Sequence, residues 1–123
     1  MPTLAQLILE NNPIGNQGAA ALAAPLRKLP ALRDLALAKC QVGDEGVASL
    51  VANLGKDDFK ALDILALEDN LLTDKGCAML VDAIKAGSFP SVNEVYLASD
   101  FVSVEAGAAL SAAVSARKEA RAG

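Results

Sequence analysis

Leu4, Leu7, Leu9, Asn12, Ile14 and Leu22 are followed, 28 residues on, by Leu32, Leu35, Leu37, Cys40, Val42 and Leu50. A shift of 30 gives Leu62, Leu65, Leu67, Asn70, Leu72 and Leu80, and a further 30 gives Val92, Val95, Leu97, Asp100, Val102 and Leu110. Four units in register cover almost the whole chain. A unit of this size cannot bury an apolar face by itself, so the units must stack and share one continuous core. That excludes most compact folds before any other residue is considered.

Within each unit the two outer leucines of Leu7-Ile8-Leu9 and its equivalents fall on one face, the period of a short strand. A helical stretch follows, which predicts four parallel strands, each joined to the next by a helix on the other side. Asn12, Cys40, Asn70 and Asp100 sit where the chain turns away from the strand. An amide buried there can satisfy backbone groups that strand and helix leave unpaired.

The pattern L-x-x-L-x-L-x-x-N/C-x-L resembles the leucine-rich repeats, and the unit length with its helical half resembles their ribonuclease-inhibitor-like subfamily. The segments that carry it are LAQLILENNPIGNQG, LRDLALAKCQVGDEG and LDILALEDNLLTDKG. VNEVYLASDFVSVEAG departs, with Asp100 at the Asn/Cys position and Gly107 where the register expects residue 106. The resemblance implies an α/β right-handed solenoid with a parallel sheet on the concave side and helices on the convex side. Its repeats run over about 4–31, 32–61, 62–91 and 92–121 of a single domain, 1–123. It makes Asn12, Cys40, Asn70 and Asp100 a structural ladder, with cysteine a common substitute. In function it implies a non-enzymatic scaffold that binds a protein partner on its concave face or loop rim.

Helix starts recur on the same schedule. Asn16, Asp44 and Asp74, each two residues before a glycine, are expected N-caps, with Ser103 in that role in the fourth unit. Gly55 and Gly87 are expected helix stops. Pro25 should end or bend the first helix, because its ring removes a hydrogen bond. Leu29, Phe59 and Phe89 each stand three residues before a strand-opening leucine or valine and should close the bottom of the core.

Composition narrows function by exclusion. The chain has no histidine and only two cysteines, Cys40 and Cys77, so imidazole catalysis, a His-containing zinc site and a disulfide scaffold all fall away. Eleven Lys and Arg against fifteen Asp and Glu, a net charge of −4, do not make a phosphate-tracking nucleic-acid binder. The longest charge-free stretch, Asn11 to Leu26, contains Asn, Gln, Gly and two prolines, so no membrane span or membrane partner is expected. No basic segment followed by an apolar run opens the chain, and a cytoplasmic protein is the expectation.

Several motifs read as structure rather than chemistry. Gly15-Asn16-Gln17-Gly18 and Gly43-Asp44-Glu45-Gly46 lack the Lys-Ser/Thr of a phosphate loop and recur at the repeat period. Glu68-Asp69 and Asp57-Asp58 have no metal-site spacing and read as solvated charge. The two thiols lack a base and a partner and read as packing. Arg117, Lys118 and Arg121 suit the carbonyl end of a helix. No catalytic residue, cofactor or metal ligand is expected.

The repeat register instead singles out a surface. Facing away from the core, the strands present the columns Gln6-Asp34-Ile64-Glu94, Ile8-Ala36-Ala66-Tyr96 and Glu10-Ala38-Glu68-Ala98, with Asn11-Lys39-Asp69-Ser99 at the edge. Pro13, Gln41, Leu71 and Phe101 run along the rim. Glu10, Asp34, Glu68, Asp69 and Glu94 against Lys39 alone predict a basic protein partner, with Tyr96 and Ile8 as the apolar anchors of the face, helped by Leu71 and Phe101 on the rim. Two further readings accompany this one. Leu4 opens a strand almost at the first methionine with no cap before it, which predicts self-association through the first repeat or a segment of a longer array. A GTPase-activating regulator is implied more weakly, since such relatives have longer arrays and no arginine or asparagine cluster stands out here.

Overall fold

The computed structural model describes residues 3–55, 57–99 and 101–122. Strand and helix alternate as β1 (Gln6–Ile8), α1 (Gly15–Arg27), β2 (Asp34–Ala36), α2 (Asp44–Val51), β3 (Ile64–Ala66), α3 (Asp74–Lys85), β4 (Glu94–Tyr96) and α4 (Val104–Ala122). The strands form one parallel sheet in chain order, with Gln6 paired to Asp34, Asp34 to Ile64 and Ile64 to Glu94. This is the α/β solenoid that the repeat implies.

Leu35 and Leu65 point from the sheet into a core shared with Leu32, Leu37, Leu62, Leu67, Leu72 and Leu80, all buried. Full burial of each such leucine contributes about 1.5–3 kcal/mol. Phe59 and Phe89 close one end of this core, with ring centroids 5.4 Å apart and planes tilted by 31°. Both adopt left-handed backbone (φ 50° and 53°), uncommon for a bulky side chain. Burial of both rings holds them there.

The helix starts differ from the expected arrangement. Asn16, Asp44 and Asp74 do not cap their own helices, because each already lies in the first turn. Each reaches instead to the helix start of the next unit. Asn16 Oδ1 accepts from the backbone N–H of Gly43 at 2.7 Å and of Gly46 at 3.0 Å. Asp44 Oδ1 accepts from the N–H of Thr73 and Gly76, both at 2.9 Å, and Oδ2 from the Thr73 hydroxyl at 2.5 Å. Burial alone would push the Asp44 carboxyl up; the Thr73 hydroxyl, the two N–H groups and Lys75 together outweigh it and leave it below its ordinary value.

The repeated glycine makes this reach feasible. A Cβ at Gly46 would lie 2.9 Å from Asn16 Oδ1, and one at Gly76 would lie 2.3 Å from Asp44 Oδ1. In the fourth unit the register places Ala106 there. Asp74 Oδ1 then accepts only from Ser103 N–H, at 2.7 Å, while Ala106 N–H donates to the Ser103 hydroxyl at 3.1 Å. Ser103 is thus a true N-cap, and the shifted Gly107 has open space around it.

Helix ends are mixed. Gly87 (φ 99°) follows α3 with its N–H on Ile84 O and the Ser88 N–H on Ala83 O, a glycine stop as expected. Gly55 is not the stop of α2. That helix ends at Val51, Ala52 is extended, and Asn53 takes the left-handed conformation. Gly55 N–H instead donates to Asp58 Oδ2 at 2.9 Å. Asp58, expected to be solvated, is buried, and its Oδ1 lies 2.8 Å from Lys28 Nζ. That ammonium, helped by the Gly55 N–H, holds the carboxyl below the usual range. Pro25 does not end α1, which continues to Arg27. Arg117 serves the end of another helix. Its guanidinium donates to Phe89 O at 2.6 Å, Ser88 O at 2.8 Å and Ile84 O, closing the carbonyl end of α3.

Asn70 is buried and fully engaged. Nδ2 donates to Leu37 O at 2.8 Å, Leu67 O at 3.0 Å and Glu68 O at 3.3 Å, and Oδ1 accepts from Cys40 N–H at 2.9 Å and Val42 N–H at 3.0 Å. Asn12, in the first unit and exposed, donates only to Leu9 O and Glu10 O. Cys40 is buried with its thiol directed at Leu9 O, 3.0 Å away. Asp100, the fourth ladder position, lies outside the described residues.

Two stability outcomes follow. Asn70→Ala strands two N–H groups and two or more carbonyls, and should cost on the order of 1–3 kcal/mol, whereas exposed Asp57→Ala should be near neutral; urea midpoints compare them. Gly76→Ala should lower the midpoint by displacing the Asp44 carboxylate, while Gly107→Ala should raise it, adding about 0.5–1 kcal/mol of stability through helix propensity. Equal effects at the two glycines would show that the close approach of Asp44 carries no stability.

Candidate functional site

Helices cover one side of the sheet, and the other side is open. Because the strands are in register without slip, the outward columns expected from the repeat form as continuous rows: Gln6, Asp34, Ile64, Glu94 and, beside it, Ile8, Ala36, Ala66, Tyr96. Beyond the strands the backbone ladder continues, with Leu9 N–H on Ala36 O, Leu37 N–H on Ala66 O and Leu67 N–H on Tyr96 O. Asn11, Lys39 and Asp69 then turn in left-handed conformations (φ 64°, 56° and 58°), each donating its N–H to the next unit. Asn and Asp tolerate this conformation better than lysine does. The repeated turn fixes where the rim departs from the face.

The open face holds a shallow depression of about 260 Å³ with Ala36 and Ala66 in its floor and Ile8, Ile64, Glu68 and Tyr96 around it. Ile8 and Tyr96, 61% and 47% exposed, stand at opposite ends of the same row. The five carboxylates differ in what they already do. Asp34 Oδ2 accepts from Gln6 Nε2 at 2.7 Å, and Glu94 accepts from the Tyr96 hydroxyl. Glu10 and Asp69 are exposed. Glu68 is half-buried, and its Oε1 is covered with no hydrogen-bond partner. The bond to Glu94 is the main reason the Tyr96 phenol is pushed up, followed by burial and by the charges of Glu94 and Glu68.

Leu71 and Phe101 are exposed on the rim at equivalent positions of successive units, apart from the depression. Two apolar residues were missed from sequence, one in the depression and one at the start of α4. Ile64 is the apolar member of an otherwise polar outward row, a signal visible in the column itself. Val104 is the most exposed large apolar side chain of those described, at 84%. It occupies the register position of Asn16, Asp44 and Asp74, so that comparison would have exposed it.

Other features offer less. Among the described residues no three His, Cys, Asp or Glu side chains converge as metal ligands, and no helix is long and apolar enough to cross a membrane. Cys40 and Cys77 are buried and in no disulfide, and burial is the first cause pushing both thiols up. A larger hollow, about 550 Å³, lies between α3 and α4, but its walls are chiefly alanine and its Arg117 is engaged with three carbonyls.

Residues 1–23 and 28–51 match the family model described as leucine-rich repeat. A comparison with curated proteins finds no match. Among solved structures the chain is similar to leiomodin-1 actin-binding site 2, with a TM-score of 0.72 at 15% identity over 98% of this chain and 84% of that one. It is also similar to the tropomodulin C-terminal domain from Caenorhabditis elegans, with a TM-score of 0.63 at 17% identity over 94% and 85%. The chain has the leucine-rich-repeat fold.

The chain has a single tyrosine and no tryptophan, so tyrosinate absorbance reports Tyr96 alone. Its alkaline titration midpoint should fall on Glu94→Gln, and by less on Glu68→Gln, because Glu94 supplies both the hydrogen bond and a charge. An unchanged midpoint in Glu94→Gln would remove the phenol–carboxylate bond from the site.

Proposed function

We propose that this chain is a non-enzymatic protein-binding scaffold of the ribonuclease-inhibitor-like kind, which takes a basic partner on its concave strand face. One observation carries the reading: the sheet leaves one side uncovered, and that side has Glu10, Asp34, Glu68 and Glu94 by a smooth alanine floor and Asp69 at its edge, with Lys39 its one cation among the described residues. Such a field selects partner sign and speeds encounter more than it supplies affinity. Affinity comes from the anchors Tyr96 and Ile8, with Leu71 and Phe101 on the rim. The likeness to leiomodin-1 actin-binding site 2 and to the tropomodulin domain carries the fold alone at this identity, so actin enters only as one partner to assay. A cytoplasmic setting accords with two buried thiols in no disulfide.

The test reverses charge on one side at a time. Glu68→Lys with Asp69→Lys alters the concave face, and at residue 69 it reproduces the lysine that Lys39 already carries in the same left-handed turn. Glu45→Lys with Asp82→Lys makes an equal change on the exposed side of α2 and α3. Against a partner recovered from native extract, and against actin, the concave pair should slow association at low salt, with the deficit fading as salt rises. The convex pair should leave the rate near wild type. Loss of binding on the convex change with no effect of the concave one would overturn the reading.

A further inference from the structure

We infer that the concave depression is a receptacle for a single lysine side chain of the partner, with Glu68 as its counter-ion and the Ala36–Ala66 floor as the bed for its methylenes. The inference rests on the concave-face reading and deepens it, because it names the group that face selects.

The five carboxylates of the face are not equivalent. Asp34 is bonded to Gln6 and Glu94 to Tyr96, so neither offers a full complement of free lone pairs. Glu10 and Asp69 are exposed, where water and salt screen any pair. Glu68 alone combines partial burial with an oxygen that has lost water and gained no donor. Lys39, whose backbone N–H reaches Glu68 O, makes no ion pair with it. A carboxylate already partly desolvated without a partner gains more from an arriving cation than one that must first shed its water.

The depression has an apolar floor on which a lysine stem can lie. Alanines at residues 36 and 66 lower the floor between the larger Ile8, Ile64 and Tyr96. A lysine stem lies along such apolar surface while its charged head stays at the wet end. The Tyr96 ring is held by its hydroxyl bond to Glu94, so its face is oriented before the cation arrives. Lysine is favoured over arginine by the state of the carboxylate. With Glu68 Oε1 covered, one oxygen remains for a ligand, which suits a compact ammonium and denies guanidinium its two-point grip.

The probes are oligolysine and oligoarginine peptides of equal length, titrated into the full chain at low salt and followed by backbone amide shifts. Oligolysine should perturb Ala36, Ala66, Glu68 and Tyr96 together and bind more tightly than oligoarginine. Glu68→Gln should weaken it about fivefold or more. Glu45→Gln, which removes the same charge from the exposed convex side, should have an effect below about twofold. Ala36→Leu raises the floor and leaves every charge in place; it should weaken oligolysine as Glu68→Gln does, with urea midpoints confirming that each variant is folded. Equal weakening by Glu68→Gln and Glu45→Gln, with shifts still on the strands, would overturn the receptacle and leave the concave-face reading standing. Tighter binding of oligoarginine would overturn the choice of lysine. Shifts on the helices would overturn both.

Discussion

No unit of this solenoid can satisfy its own backbone, and the side chains that complete it come from its neighbours in both directions. Asn70 reaches backward, taking the N–H groups of Cys40 and Val42 and giving one to Leu37 O. Asn16, Asp44 and Asp74 reach forward to the helix starts of the following units. A buried N–H left without an acceptor costs about 1–3 kcal/mol, so removing one unit penalises those on either side. Strands of only three residues could not provide this cohesion through their ladder alone.

The placement of these interlocks shapes what remains for function. The amide ladder lies inside, where strand gives way to turn, and the forward caps lie at the helix starts. Neither occupies the outward strand rows. Residues 6, 8, 34, 36, 64, 66, 94 and 96 are therefore free to vary in chemistry without disturbing the stack. Their spacing is nevertheless set by it, since Leu7, Leu35, Leu65 and Val95 alternate with them and pack inward. Repeated left-handed turns at Asn11, Lys39 and Asp69 fix the rim in the same way. The face is rigid because its support is elsewhere.

What the sequence made legible was whatever repeats. Strand register, the outward columns and the exposure of Leu71 and Phe101 came directly from period arithmetic. The local capping pattern was read one unit out of place. Asn16, Asp44 and Asp74 have N-cap chemistry at nearly N-cap positions, and nothing along the chain says that a side chain will serve a helix about 30 residues later. The glycine two residues on was the missed clue. A Cβ at Gly76 would collide with Asp44, and the unit that has Ala106 instead shows an altered bond pattern and its own serine cap. Asp58 and Arg117 were misplaced for a related reason. Each finds partners across units: Asp58 at Lys28, where burial overrode the solvation that charge alone suggests, and Arg117 at the carbonyl end of α3, where its own helix end was expected.

The same asymmetry bears on binding. An alanine floor offers little apolar area, so the face cannot build affinity from a broad hydrophobic contact. Its energy must concentrate at a carboxylate that is already partly desolvated and unpaired, and among the described residues on that side Glu68 is that group, with Oε1 covered and its other oxygen left for a ligand. Rows that carry Asp34 and Glu94 in satisfied pairs contribute field rather than contact. A rigid, acidic, shallow face with one under-satisfied carboxylate therefore favours a partner that presents a single protruding cation with small neighbours. Tight association would then require several such contacts acting together, because linked weak sites gain through effective concentration rather than through area.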